Sequence, residues 1–280
     1  MASSNRPRRP PGPLCLNTAT IRGGWTLLQA IDGCARHGVT GISPWRDQLA
    51  ECGVAAAAKA IRANDLTVTS LCRGGFFTWA DAAQRAKAID DNKRAVDEAV
   101  GIGAKCVVLV VGGLATGSKD LPGAREQVRD GIATLLDYAR PANMPIAIEP
   151  LHPMYAADRA CVNTLAQAND LCDALGPGLG VAVDVYHVWW DPALAREIAR
   201  AGKRILGFHI CDWLVPTTDM LLDRGMMGDG VIDIPAIRAM VEATGYTGFC
   251  DAEILSANNW WKRDPDEVLK TCIERHRTVV

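Results

Sequence analysis

The chain has 280 residues, of which 49% are hydrophobic, enough for a sizeable core and too apolar for a disordered protein. Lys and Arg number 30 against 32 Asp and Glu, and a net charge of −2 gives no electrostatic case for nucleic acid or an anionic membrane as partner. No run of about 18 apolar residues occurs, so no helix is expected to span a membrane.

Residues 1–13, rich in Pro and Arg, lack the apolar stretch of a secretory signal and read as a flexible tail before a catalytic domain at 14–280. Strand-like and helix-like segments then alternate. A strand at 14–20 precedes a helix at 25–37, and a strand at 39–43 precedes a helix at 54–64. The strand at 66–72 leads to a long helix at 80–102. Further pairs follow at 105–111 and 122–140, at 145–149 and 163–175, and at 180–184 and 192–201. The last two are 204–211 with 235–244, and 248–253 with 265–277. Gly38, Asn64, Gly103, Gly176, Gly202 and Gly245 stand near helix C-ends, where a left-handed cap is favoured. Eight such units in one run, without a Gly-Ser linker, predict a single α/β domain closed as a (β/α)8 TIM barrel. No G-x-G-x-x-G follows a strand, so a dinucleotide fold lacks its fingerprint. The ten cysteines form no Cys-x-x-Cys pair and sit in apolar patterns, as buried free thiols in a reducing cytoplasm would.

Four of the apolar runs end on a polar group: Ile-Ala-Ile-Glu149, Val-Ala-Val-Asp184, Leu-Gly-Phe-His209 and Cys-Asp-Ala-Glu253. A charge at the end of a buried strand is costly unless it is paired. In a barrel these ends lie together on the active face, on four neighbouring strands. Three carboxylates and one imidazole converging there suit one divalent ion such as Mn²⁺, Mg²⁺, Co²⁺ or Zn²⁺. Arg46 and Arg73 follow the second and third strands, and Arg224 lies in the long loop after the seventh. Arginine forks of this kind hold carboxylate, phosphate or hydroxyl-rich ligands. His187 and His152 each follow a ligand candidate by three residues. His37 and His276 read as structural. Trp45 and six further tryptophans near strand ends offer flat faces for a sugar ring or an aryl group. The Gly228-Asp229-Gly230 turn reads as structural, since no Lys or Arg follows closely.

The motifs Ala-Ile-Glu149-Pro, Val-Asp184-Val-Tyr-His187, Gly-Phe-His209-Ile-Cys-Asp212, Gly228-Asp229-Gly230-Val-Ile-Asp233 and Ala-Glu253-Ile, taken in order, resemble the xylose-isomerase-like sugar isomerase/epimerase superfamily over residues 14–277. The resemblance implies one ion, with Mn²⁺ favoured, on Glu149, Asp184, His209 and Glu253. It implies proton transfer by Glu149 and Glu253 through a metal-stabilised enediolate, with His187 on a substrate oxygen. His152, Arg46, Arg73, Arg224 and Trp45 are the expected further substrate contacts. The implied activity is isomerisation or epimerisation of a ketose or keto-sugar, such as a 3-keto-glycoside. The runner-up is a metal-dependent lyase or dehydratase of a keto-sugar or keto-inositol, including C-glycoside cleavage with a small partner subunit. A dimer or tetramer is expected for the family. Ketose 3-epimerases of the family carry an arginine where this chain has Val215 and a glutamate where it has Tyr155, which weighs against a free ketose as substrate. The endonuclease branch uses more histidines than the five here, a non-catalytic scaffold would be favoured only if a ligand were missing, and a hydrolytic metalloenzyme is an alternative that activity on sugars versus phosphodiesters separates.

Overall fold

The structure, a computed structural model, describes residues 10–280. Most of the tail expected at 1–13 lies outside the described residues. Its last two residues are already held to the body: His276 Nε2 meets the Gly12 carbonyl at 2.9 Å, and the Cys250 amide donates to the Pro13 carbonyl at 2.9 Å.

The chain opens with β1 (Leu14–Asn17), α1 (Leu27–His37) and β2 (Gly41–Ser43). Two helices follow, α2 (Arg46–Cys52) and α3 (Val54–Ala63), and then two short strands, β3 (Thr67–Val68) and β4 (Leu71–Gly75). The middle of the chain is α4 (Ala82–Ile102), β5 (Val107–Val110), α5 (Leu121–Ala139), β6 (Ile146–Ile148), α6 (Leu165–Leu175) and β7 (Leu179–Asp184). After β7 come α7 (Val185–Val188), α8 (Leu194–Ala201) and β8 (Ile205–Ile210). A small antiparallel pair, β9 (Asp212–Trp213) and β10 (Arg224–Gly225), lies in the loop beyond β8. The chain closes with α9 (Ile234–Ala243), β11 (Cys250–Ala252) and α10 (Pro265–Thr278).

Nine strands form one parallel sheet in the order β3-β2-β1-β11-β8-β7-β6-β5-β4. The two ends of that order are consecutive in the chain, so the sheet closes on itself through residues 69–70. The strand expected at 66–72 is therefore one stave in two pieces. The Thr69 amide still bonds to Ile42 O at 3.0 Å, whereas the Leu71 amide has passed over to Cys106 O at 2.9 Å. The polar side chains at the step are satisfied inside: Ser70 Oγ lies 2.7 Å from Ser43 Oγ, and Thr69 Oγ1 lies 3.1 Å from Cys15 Sγ. The result is the eight-staved TIM barrel that the alternation predicts, with β9 and β10 outside it.

Local chemistry explains the helix ends. Thr26 and Thr164 form capping boxes with Gln29 and Gln167, and Asp81, Asp120, Asp233 and Asp264 cap other helices. Gly38 and Gly103 close α1 and α4 in the left-handed conformation. Asn64 does not: its φ of −109° lies outside that region, and its side chain instead donates to Ala60 O at 2.9 Å. Helix α2 falls between the strand predicted at 39–43 and the helix predicted at 54–64, where the sequence pattern marks no element. It starts at Trp45, which supplies no side-chain cap, so the usual start signal is absent from the sequence.

The pleat sorts the strand residues into two faces. Cys72, Cys106, Val108, Ala147 and Ala182 form a small cluster inside the barrel, apart from the larger core under the helices. Two residues beyond Ala147 and Ala182 come Glu149 and Asp184, on the same inward face. Gly207 stands two before His209, where a side chain would meet the imidazole Nε2 at 3.3 Å. Asp251 stands two before Glu253. All ten cysteines are free, and only Cys52 is not buried. Among the described residues no helix is long and apolar enough to cross a membrane.

Candidate metal centre

The parallel register sets Asp184 beside His209 and His209 beside Asp251. With Glu149 on β6 and Glu253 after β11, four adjacent staves deliver their last polar groups to one point. The four ligand atoms of Glu149, Asp184, His209 and Glu253 all lie within 4.8 Å of one another, and all four residues are buried. His209 Nδ1 is 3.0 Å from Glu149 Oε1 and 3.6 Å from Glu253 Oε2. Yet Glu149 Oε1 and His209 Nδ1 are both without an aligned hydrogen-bond partner. Buried polar atoms are seldom left so, and a cation between them would satisfy both. The donor set therefore fits one divalent ion.

Groups behind the quartet fix its members. His209 Nε2 faces Asp251 Oδ2 at 3.8 Å, the carboxylate-behind-imidazole arrangement that orients metal-binding histidines. Asp184 Oδ1 accepts from the Tyr186 amide at 2.8 Å, leaving Oδ2 to the centre. Asn17, at the end of β1, donates through Nδ2 to Glu253 Oε1 at 3.1 Å. Its Oδ1 accepts from Trp45 Nε1 at 2.7 Å. Neither Asn17 nor Asp251 stood out in the sequence. A lone Asn after an apolar run looks like a turn residue. Asp251 could have been found from its spacing, since it shares the inward face with Glu253.

Arg224 penetrates farther than its loop position suggests. It is 4% exposed, and its Nη1 lies 2.9 Å from Asp184 Oδ2 and 3.2 Å from Glu253 Oε2. The guanidinium sits 4.4 Å over the Tyr186 ring. The loop that carries it is tied down, since Tyr155 and Tyr186 both donate their hydroxyls to Met220 O, at 2.5 and 2.8 Å.

The electrostatics follow from burial. Desolvation pushes Glu149 up to about 7, with the Glu253 charge acting the same way and His209 opposing. Burial would raise Glu253 as well, but the His209 bond and the Arg224 charge prevail and hold it low. Burial works against a charge on His209, and the two glutamates overcome it, so that imidazole is held well above its ordinary range. His187 goes the other way: burial pushes it down to about 3, so it is neutral. Two donors face the ring, the His152 amide 3.2 Å from Nδ1 and Arg224 Nη2 3.1 Å from Nε2, and a neutral imidazole accepts from one of them.

A small cavity of about 40 Å³ opens over the centre, lined by Trp45, Arg73, Glu149, His187, Arg224 and Glu253 together with Tyr155 and Arg159. Arg159 and Tyr155, from the loop after β6, were not expected there as ligand contacts. Trp45 and Arg73 also face a wider cleft of about 630 Å³, which Phe76 and Trp79 line as well. Arg46 takes another course. Its guanidinium is bound to Asp91 at 2.8 Å and Glu98 at 2.6 Å on α4, so it lines only the outer cleft and its donors are taken. His152 lies beside the cavity, stacked on Trp213 at 4.9 Å. The Gly228-Asp229-Gly230 turn is held by Asp212, which accepts from the Gly228 and Ile232 amides at 2.9 and 3.0 Å, a structural role.

A family model described as xylose isomerase-like TIM barrel matches residues 31–273. Among solved structures, protein SMc04130 of Sinorhizobium meliloti 1021 is 62% identical, with a TM-score of 0.94, covering 95% of this chain and 98% of that one. The IolI protein, solved with a bound zinc atom, is 22% identical with a TM-score of 0.81, covering 94% of this chain and 95% of that one. The 3-keto-D-glucoside 4-epimerase YcjR of E. coli is 19% identical with a TM-score of 0.72, covering 93% and 98%. The likenesses to IolI and YcjR concern the fold. No curated protein matches the chain.

Proposed function

The chain belongs to the xylose isomerase-like TIM barrel family, and from that premise we propose that it is a divalent-metal-dependent isomerase or epimerase of a keto-sugar, a 3-keto-glycoside being favoured over a free ketose. The observation that carries this reading is the quartet itself: two glutamates flanking one point, with Glu149 Oε1 and His209 Nδ1 buried, 3.0 Å apart and without an aligned hydrogen bond.

Glu149, Asp184, His209 and Glu253 would hold the ion, Mn²⁺ being favoured. When bound, it supplies Lewis acidity that stabilises negative charge developing on the substrate oxygens. The residues do the rest. One glutamate takes the proton α to the carbonyl, and the other returns one to the opposite face or to the neighbouring carbon. Their environments push the two carboxyls apart in acidity, as groups with opposite acid and base duties require. His187, a neutral imidazole, orients a substrate oxygen. Asp251 and Asn17 keep the His209 ring and the Glu253 carboxylate in place.

Two observations favour a glycoside. Tyr155 spends its hydroxyl on Met220 O, so the position that is a glutamate in ketose 3-epimerases braces a loop here. The wide cleft beside the cavity, with Trp45, Phe76 and Trp79 on its wall, has room for an aglycone. YcjR, by its name, acts on a 3-keto-glucoside. The same proton abstraction can expel a group β to the carbonyl, so the cleft equally suits a lyase or dehydratase, with a small partner subunit closing it. The free thiols fit a cytoplasmic protein, and a homodimer or tetramer is the assembly expected of the family.

The test is chelation with EDTA, re-addition of Mn²⁺, Mg²⁺, Co²⁺ or Zn²⁺, and ¹H NMR in D₂O on free ketoses and 3-keto-glycosides. Metal-dependent deuterium uptake into a new stereoisomer supports the epimerase. Release of the aglycone moves the assignment to the lyase. A chain that binds no metal sinks both.

A further inference from the structure

We infer that Arg73 and Arg159 form an oxyanion receptor at the mouth of the metal centre, so that the substrate carries a carboxylate or phosphate remote from its reacting carbonyl. The inference rests on the keto-sugar reading above and names the substrate's charge.

Both arginines line the cavity that holds Glu149, His187 and Glu253. Among the described residues neither makes an ion pair or a side-chain hydrogen bond. Arg62 and Arg277 are also unpaired among them, but both are exposed, whereas Arg73 and Arg159 are half-buried. Arg46 binds Asp91 and Glu98, and Arg200 binds Asp170 and Asp173. Arg73 and Arg159 touch only aromatic faces through their guanidinium groups: Arg73 lies 4.3 Å over Phe76, and Arg159 lies 6.0 Å over Tyr155.

The surrounding charges are already committed. A divalent ion and Arg224 together balance the three carboxylates of Glu149, Asp184 and Glu253. Asp47, the nearest outer carboxylate acting on Arg73, is held by Arg22. Burial and the neighbouring Arg159 charge both push Arg73 below its ordinary range, yet a guanidinium remains charged. Two cations facing one cavity without a partner are costly alone, and an anion between them offsets that cost. Both are also anchored. Arg73 lies within β4, and the Gly112 amide holds the Arg159 carbonyl at 2.9 Å. A neutral sugar would need no such pair.

Three ligands with one 3-keto-glycoside head and different tails test this: methyl 3-keto-D-glucoside, the corresponding 3-keto-glucuronide and the 3-keto-glucoside 6-phosphate, titrated calorimetrically into the Mn²⁺-loaded protein. The expected result is that at least one anionic ligand binds about tenfold or more tighter than the neutral glycoside. Which of the two prevails identifies the anion as carboxylate or phosphate. The preference should collapse in Arg73→Gln/Arg159→Gln, and in Arg159→Gln alone should shrink, with Mn²⁺ affinity retained. Similar binding of all three, binding of none, or a preference that survives the double substitution would overturn the receptor. Mn²⁺ binding is followed separately by electron paramagnetic resonance. A wild-type chain that fails to bind Mn²⁺ sinks the metal-dependent reading instead, and the same three-ligand comparison without metal then decides the receptor.

Discussion

At or beside the C-terminal ends of β6, β7, β8 and β11 stand Glu149, Asp184, His209 and Glu253; β1, β2, β4 and β5 end on Asn17, Ser43, Gly75 and Val110, with Arg73 inside β4. The first set is anionic, buried and aimed at one point. The second is neutral or cationic, and it meets the open cleft through Trp45 and Arg73. One barrel thus separates two tasks along its circumference. The later half concentrates the charge to which the proposed chemistry is assigned, and the earlier half the groups proposed for orientation and recognition. Asn17 joins them, with one amide atom on Glu253 and the other on Trp45.

The sharpest break of that division is Glu253→Gln. It keeps the shape and the Asn17 contact but removes the carboxylate proposed both to hold the ion and to transfer the proton, so deuterium exchange should fall about 10²–10⁴-fold. Next is Asp251→Asn, behind His209, which should weaken metal affinity about 10- to 100-fold, measured by competition with a chelator.

The pH response of the later half is smaller, and its sign can be worked out. The folded Glu149 carboxyl titrates near 7 against an ordinary 4.5, so between these values the folded state holds a proton that the unfolded state has lost. Stability of the metal-free protein from this site therefore falls as pH rises through that window. His209, also raised, acts in the same direction. Metal must displace these protons, so affinity rises with pH. The melting-temperature gap between metal-loaded and metal-free protein should widen from about pH 5.5 to pH 8; a constant gap would show that no proton leaves on binding.

The least effect should come from the earlier half. Arg46→Gln breaks the pairs with Asp91 and Glu98, both partly exposed, and should cost about 1 kcal/mol of stability in denaturant melts. Metal affinity should stay as it is, because the side chain reaches only the outer cleft.

The later half was the legible one. A polar residue closing a buried apolar run is a signal within a few residues, and four such signals fell on neighbouring staves. The barrel was legible for the same reason, being a local alternation repeated eight times. What escaped depends on distant partners. Asn17 matters only because Glu253 and Trp45 lie beside it in the closed barrel. Arg46 reads as a face residue by position, and only α4 shows where its charge is spent. Arg159 and Tyr155 sit in a loop whose path over the cavity follows no periodicity. Helix α2 has no side-chain cap to announce it, and the split of the third stave depends on which neighbour each half can reach.

That split stave has a further consequence. The one interruption in the ladder, between β3 and β4, is spanned by the chain's own residues 69–70. Trp45 and Cys72 form an additional parallel bridge there, and the Cys72 amide bonds to Pro44 O at 2.9 Å. The barrel sheet therefore offers no exposed strand margin onto which a second polypeptide could add its own strand, and the commonest route from a β-rich fold to aggregation is closed without the lysines or prolines that open sheets need.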